Sequence, residues 1–211
     1  MLARALELVG DRWTLLIVRD LLAAPRRFTD LMALRRGITP KTLSQRLRQL
    51  QDAGIVAVDR ETGRREAWYR LTPAGEELGP ATDALFRWGF RHARRPPLPG
   101  ETVHPEHLLR ALRIVLSETS PPPEPLAWHF VFADDGTYTL AFDDDSWVLT
   151  NHLHDSAPDV TTTTTTDAWT HYLMTPPADR PAAPAGIELA GTRRAVQRFT
   201  RLLARFPDGA A

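Results

Sequence analysis

The 211-residue chain has no cysteine. That excludes disulfides, thiolate metal sites and a thiol redox switch. Lysine occurs once, as Lys41, and arginine supplies the rest of the 26 basic residues; the abundance of Arg, Ala and Pro reads as a GC-rich coding sequence and not as mechanism. No apolar run is long enough to cross a bilayer, and no charged-then-apolar leader opens the chain. A soluble, cytoplasmic protein with no membrane association is expected. There is neither a glycine-rich phosphate loop nor a nucleophile elbow, so no enzyme activity and no cofactor are expected. Net charge is missing too, with 26 Lys+Arg against 26 Asp+Glu.

That neutrality hides a division. Residues 1–97 hold 18 Lys+Arg and 11 Asp+Glu, an excess of seven positive charges, and residues 98–211 hold 8 and 15, an equal excess of negative ones. This is the distribution of a nucleic-acid-binding module joined to a module of another kind. Arg91, Arg94 and Arg95 close the basic half, and Pro96-Pro-Leu-Pro-Gly100 forms a stiff, helix-breaking boundary. Two domains are expected, 1–95 and 101–208, and the length suffices for two modest cores.

Within the basic half, Thr39-Pro-Lys-Thr-Leu-Ser-Gln-Arg-Leu-Arg-Gln-Leu50 reads as a capped helix. Thr39 suits the N-cap, and Pro40 the first helical position, where its missing N–H costs nothing. Leu43, Leu47 and Leu50 share one face and pack inward. Lys41, Thr42, Ser44, Gln45, Arg48 and Gln49 lie away from it, where Arg and Lys can neutralise phosphate or fork onto guanine and Gln can pair with adenine. A solvated helix face would carry the same charges, so the context decides. Upstream, Arg26-Arg27-Phe-Thr-Asp-Leu-Met-Ala-Leu34 reads as a shorter helix, broken by Gly37. Two helices joined by a short Gly-containing turn make a helix-turn-helix. Downstream, Gly54 suits the position just past a helix end, and Ile55-Val-Ala-Val58 and Ala67-Trp-Tyr-Arg-Leu71 read as two strands. The turn between them, around Thr62-Gly63, carries Arg60, Arg64 and Arg65, so an Arg-rich hairpin tip able to follow a phosphate backbone is expected.

These residues resemble a known family. The run Ala5-Leu-Glu-Leu-Val-Gly-Asp-Arg-Trp-Thr-Leu-Leu-Ile-Val-Arg-Asp-Leu-Leu22, then Pro25-Arg-Arg-Phe-Thr-Asp-Leu31, Gly37-Ile-Thr-Pro-Lys-Thr-Leu-Ser-Gln-Arg-Leu47 and Tyr69-Arg-Leu-Thr-Pro-Ala-Gly75, is similar to the HxlR-type winged-helix transcription regulators over roughly the first 90 residues. The resemblance implies a bacterial regulator that binds double-stranded operator DNA as a homodimer. The helix from Thr39 would be the recognition helix and the hairpin at Gly63 the wing. Dimer contacts would come from the first helix and the helix after Thr72. Arg27, Thr39, Lys41, Thr42, Ser44, Gln45, Arg48, Gln49, Arg60, Arg64 and Arg65 are the candidate DNA-contacting residues. Many members of that family carry a cysteine near the N-terminus and some sense oxidants or aldehydes with it; this chain has none, so any signal must be read elsewhere.

In the acidic half, His104 to Thr119 reads as an amphipathic helix ended by Pro121-Pro-Pro123. Trp128-His-Phe-Val-Phe132, Tyr138-Thr-Leu-Ala-Phe142 and Ser146-Trp-Val-Leu-Thr150 alternate as strands, with Asp134-Asp-Gly136 and Asp143-Asp-Asp145 as turns. Val160 and the threonines to Thr166 make a fourth strand, since the branched Cβ of Thr suits a pleated surface; a disordered polar tract is the competing reading. Asp167 caps a short helix to Met174. Ile187 to Thr192 is a strand and turn, and Thr192 caps a last helix through Arg205. Helix, antiparallel strands, helix, strand, helix makes an α+β domain. That order, with Asp167-Ala-Trp-Thr-His-Tyr-Leu173 and Gly186-Ile-Glu-Leu-Ala-Gly-Thr192, resembles the sterol-carrier-protein fold more loosely. It implies an apolar tunnel for a lipid-like or aromatic molecule, with Trp128, Phe130, Phe132, Tyr138, Phe142, Trp147 and Trp169 as candidate walls. The same aromatics equally suit the solid core of a small sheet domain.

Six of the seven histidines lie in this half, including His104-x-x-His107 and His152-x-His154. Zinc sites want three or four ligands at tighter spacing, so no metal is expected. The fold expectation is therefore α+β, a winged helix-turn-helix joined to a sterol-carrier-like domain. The functional expectation is a homodimeric repressor whose operator binding responds to a small apolar or aromatic ligand. The alternative is a regulator whose second domain only mediates dimerisation or protein contacts.

Overall fold

The computed structural model describes residues 1–34, 37–60, 67–93, 97, 103–181 and 184–204, apart from the side chains of Arg60 and Pro177. It divides into two compact units, Met1–Leu85 and Phe86–Ala211.

The first unit begins with helices α1 (Leu2–Val9) and α2 (Arg12–Ala23). Asp11 caps α2, its carboxylate accepting the Trp13 N–H at 2.9 Å. Then come β1 (Arg26–Arg27), α3 (Phe28–Ala33), α4 (Pro40–Asp52), β2 (Val56–Arg60), β3 (Ala67–Leu71), α5 (Pro73–Glu76) and α6 (Gly79–His92), whose residues from Phe86 on count with the second unit. The three strands form an antiparallel sheet in the order β1-β3-β2. Its small core is Ile17, Val18 and Leu21 from α2, Leu31 from α3, Leu43, Leu47 and Leu50 from α4, and Ile55, Val56 and Leu71 from the hairpin. This is a winged helix-turn-helix.

One expectation fails here. Arg26 and Arg27 do not belong to the upstream helix. Asp30 accepts the Arg27 backbone N–H at 2.9 Å and two guanidinium N–H groups at 3.1 Å each. That bonding holds Arg27 in the extended N-cap conformation, so helix starts only at Phe28 and the two arginines pair with Tyr69 and Trp68 as a third strand. Burial, the largest single influence, would raise the Asp30 carboxyl, but the guanidinium and backbone hydrogen bonds of Arg27 together with the charges of Arg27 and Arg26 outweigh it and hold the carboxyl below its ordinary value.

The second unit contains α7 (Pro105–Leu116), β4 (Leu126–Phe132), β5 (Thr137–Asp143), β6 (Ser146–Thr150), β7 (Val160–Thr164), α8 (Thr166–Met174), β8 (Ile187–Gly191) and α9 (Arg193–Leu203). The strands form one sheet in the order β6-β5-β4-β7-β8. β5 and β6 are joined by the two residues Asp144 and Asp145, both at positive φ (45° and 59°), as a tight hairpin loop requires. Contrary to expectation the sheet is not antiparallel throughout: β7 pairs with β4 in parallel, Phe130 opposite Thr162. The chain from β6 crosses back over residues 151–159 to the far side of β4, a route that strand patterning alone does not reveal. The threonine run is an ordered strand, since Thr162 and Thr164 are buried and Thr163 exposed. It ends earlier than expected. Thr165, not Asp167, caps α8, its hydroxyl accepting the Ala168 N–H at 3.3 Å, and Asp134 accepts the Thr166 N–H at 3.0 Å.

The core of this unit is one apolar layer. Leu109, Leu112 and Leu116 of α7, Trp128, Phe130 and Phe132 of β4, Leu140 of β5, Trp169 and Leu173 of α8, and Phe199 and Leu203 of α9 are all buried in it. Arg180 ties α8 to α9: it donates to the carbonyls of Tyr172 (3.2 Å), Leu173 (3.1 Å), Thr175 (2.9 Å) and Leu203 (2.7 Å), occupying carbonyls that helix ends leave without intrahelical partners.

Candidate nucleic-acid interface

Helix α4 divides cleanly by face. Its N-terminus is closed by Thr39, whose hydroxyl accepts the Thr42 N–H at 3.1 Å, with Pro40 in the first turn. Leu43, Leu47 and Leu50 are buried to 2% exposure or less. Lys41, Ser44, Gln45 and Arg48 recur at i, i+3, i+4, i+7 and so form one exposed stripe. Among the described residues none of these four has a hydrogen-bond or ion-pair partner. Their donors are thus free to reach outward, and the dry face fixes the rotation at which they do so. Gln49 is also exposed, but its amide oxygen accepts from Arg46 at 2.9 Å. Thr42 is half-buried and shares a hydroxyl contact with Thr39 at 2.9 Å.

Arg46 was not singled out from the sequence, yet it positions the helix. Its guanidinium donates to the Asp11 carboxylate at 3.0 Å, so the cap of α2 and the middle of α4 are pinned to each other. The partners are 35 residues apart, and no local spacing signals such a pair. Arg27 is engaged as well, forked onto Asp30 and lying over the Trp68 ring at 5.5 Å. Of the hairpin candidates, the Arg60 backbone ends β2 opposite Ala67, whereas the Arg60 side chain, Arg64 and Arg65 lie outside the described residues. Along the described hairpin, Arg70 and Asp59 pair across the strands at 2.7 Å.

Helix α1 presents another feature. It buries no residue, and Leu2, Leu6 and Leu8 are 74%, 53% and 58% exposed. Leu85 and Trp88 of α6 are exposed as well.

In the second unit the seven aromatic candidates are all buried, none above 7% exposure. They pack ring against ring: Trp128 with Trp147 at 5.0 Å, Phe142 with Trp147 at 5.3 Å, Phe130 with Trp169 at 5.4 Å, and Phe132 with Tyr138 at 6.0 Å. Trp128 also lines a cleft, of about 440 Å³, against α9. A second cavity, of about 410 Å³, is lined by Pro97, Val103, Asp167, Thr170, His171, Met174 and Thr175. The rings of His152 and His154 stand 5.6 Å apart, but Thr150 holds the His154 Nε2 at 3.1 Å. Among the described residues no group of three His, Asp or Glu side chains is arranged to hold a metal. His129, 6% exposed, titrates below the ordinary histidine value, first because burial disfavours its charged form and second because His154 is near. Among the described residues no helix is long and apolar enough to cross a membrane.

Residues 8–96 match the HxlR-like helix-turn-helix family. An uncharacterized HTH-type transcriptional regulator of Mycobacterium tuberculosis is 46% identical over 99 residues, which is 46% of this chain and 61% of that protein. The chain thus spans about three-fifths of the length of that relative. Another, YkvN of Bacillus subtilis, is 33% identical over 107 residues, 48% of this chain and 89% of that protein. The solved structure of ytcD is 29% identical, covers 45% of this chain and 98% of its own, and superposes with a TM-score of 0.43.

Proposed function

Since the chain belongs to the HxlR-like helix-turn-helix family, a family of transcription regulators and not of enzymes, we propose that it is a homodimeric repressor that reads operator DNA with α4. The observation that carries this reading is the exposed stripe of Lys41, Ser44, Gln45 and Arg48, without partners among the described residues and aimed outward by a helix whose opposite face is dry. In the major groove, Arg48 suits guanine O6/N7 and Gln45 suits adenine N6/N7, while Lys41, Thr42, Ser44 and Gln49 hold phosphate and sugar. Arg60, Arg64 and Arg65 at the hairpin would follow the adjacent backbone. Arg27 is left out of this assignment, because its guanidinium is committed to Asp30. The cell compartment that follows is the cytoplasm.

The exposed leucines of α1 support the dimer. Two-fold symmetry would then place two copies of α4 on an operator with inverted half-sites. The second domain would supply regulation: a small molecule bound there shifts DNA affinity by as much as it prefers one arrangement of the dimer over the other. The order of its elements supports the sterol-carrier-like reading, and the cleft beside Trp128 is of drug-ligand size. The ring-on-ring packing of the seven aromatics favours a second reading, in which the domain is a solid module for dimerisation or protein contact.

A mobility-shift assay with DNA flanking the protein's own gene tests the main reading. Specific retardation, lost in Arg48→Ala, is expected. Equal binding of all sequences by both proteins would overturn it.

A further inference from the structure

Arg46 is held at both ends of its guanidinium. Its Nη2 donates to the Asp11 Oδ2 at 3.0 Å and its Nη1 to the Gln49 Oε1 at 2.9 Å. Asp11 is itself fixed, since its Oδ1 accepts the Trp13 N–H at 2.9 Å as the cap of α2. A guanidinium carries donors only, so the end of the amide that meets it must be the oxygen. The Gln49 NH2 is therefore turned away from Arg46, and it has no acceptor among the described residues. Gln49 is exposed, whereas Asp11 and Arg46 are half-buried. At 3.6 residues per turn, Gln49 lies about a quarter turn around α4 from the middle of the stripe of Lys41, Ser44, Gln45 and Arg48. For a helix seated in a groove, that is the edge, beside the backbone and not over the bases.

We infer that Asp11 and Arg46 are positioning residues that hold the Gln49 amide as a fixed donor to one phosphate oxygen of the operator backbone. This inference rests on the DNA reading proposed above and deepens it. A free Gln offers a donor and an acceptor in either order and can pair with adenine. A Gln whose oxygen is already taken offers donors alone, which suits a phosphate, an acceptor without donors. Its side chain is also ordered before DNA arrives, so binding need not supply that entropy. The chain of contacts has a sign that simple charge does not. Asp11 is an anion in the basic unit, so by charge alone its neutralisation would tighten DNA binding. Acting through Arg46 and Gln49, its neutralisation weakens binding.

The test is a double-mutant cycle on the full chain, read by fluorescence anisotropy with a labelled duplex of the DNA flanking the protein's own gene. Asp11→Asn keeps a good N-cap. The cap needs the Asn oxygen, which leaves the Asn NH2, a donor, against Arg46. This variant should unfold in urea near the wild-type midpoint and bind the duplex roughly fivefold more weakly, and Gln49→Ala should lose a similar factor. In the Gln49→Ala background Asp11→Asn should cost no further affinity, because both act through one contact. Should Asp11→Asn fail to fold, Arg46→Met keeps an apolar stem and removes the fork; its loss should be smaller, by the same factor, once Gln49 is Ala. A residue that only braces the helix would weaken binding equally in both backgrounds, and that result overturns the inference. So does an Asp11→Asn protein that binds as tightly as the wild type or tighter, or a Gln49→Ala protein with full affinity. Failure of the wild type to bind any duplex would sink the DNA reading and this inference with it, whereas wild-type binding with an additive cycle sinks the inference alone.

Discussion

Arg48 and Leu47 are neighbours in sequence and opposites in consequence. Arg48 is exposed and has no partner among the described residues, so Arg48→Ala removes nothing from the fold, and the stability change should stay within about 0.5 kcal/mol. If its guanidinium reaches a base edge, specific affinity should fall by about 1–3 kcal/mol, or roughly five- to 150-fold in Kd. Leu47 is 1% exposed and packed between α2 and the hairpin core. Leu47→Ala should therefore cost about 2–5 kcal/mol of folding free energy, a transfer loss plus the cavity left behind. Urea unfolding and fluorescence anisotropy on a labelled operator duplex read the two quantities separately. The expected pattern is a normal urea midpoint with weak DNA binding for Arg48→Ala, and a lowered midpoint for Leu47→Ala. The reasoning fails if Arg48→Ala loses stability while keeping its affinity, or if Leu47→Ala leaves the midpoint where it was.

Other outcomes follow from the same structure. Thr39→Ala deletes the hydroxyl that accepts the Thr42 N–H and should cost about 1 kcal/mol in urea unfolding; an unchanged midpoint would show that the cap contributes nothing. Leu6→Glu places a charge on the exposed apolar side of α1 and should turn a dimer into a monomer in sedimentation, with operator binding lost at the same protein concentration; a variant that remains dimeric would move the interface elsewhere. His129 titrates below its ordinary value of 6.5 when folded, so between the folded and unfolded values the unfolded chain binds more protons. Stability contributed by neutral His129 is therefore full above about 6.5 and lost as pH falls through the folded value. His129→Gln should flatten the slope of stability against pH in that window, and an unaltered slope would refute the assignment.

Much of the first domain was legible because its signals are local. Thr39-Pro40 at the cap, the leucine spacing of α4 and Gly54 at positive φ (69°) are each decided within a few residues. The face of α4 that carries Lys41, Ser44, Gln45 and Arg48 followed from the 3.6-residue period. What escaped was non-local. Arg26 and Arg27 read as helix because their pairing with Trp68 and Tyr69 lies some 40 residues away, and the tie from Arg46 to Asp11 has no spacing signature. In the second domain the strands themselves were readable from alternation, and the tight Asp144-Asp145 loop from its turn residues. The parallel pairing of β4 with β7 depends on a crossover, which alternation does not encode. Aromatic composition pointed to the rings of β4, β5, β6 and α8 as a binding wall, whereas they lie buried against one another, and strand alternation does not distinguish a pocket wall from a core.

The most direct test of the central claim is selection of binding sites from a pool of random duplex DNA by the wild-type protein, with Arg48→Ala run in parallel. The account predicts enrichment of a two-fold symmetric site whose half-sites lie about one helical turn apart, on the order of 10 base pairs or a multiple of it, and loss or degeneracy of the motif at one position per half-site with the variant. A pool that stays random, or the same motif recovered by both proteins, would contradict it.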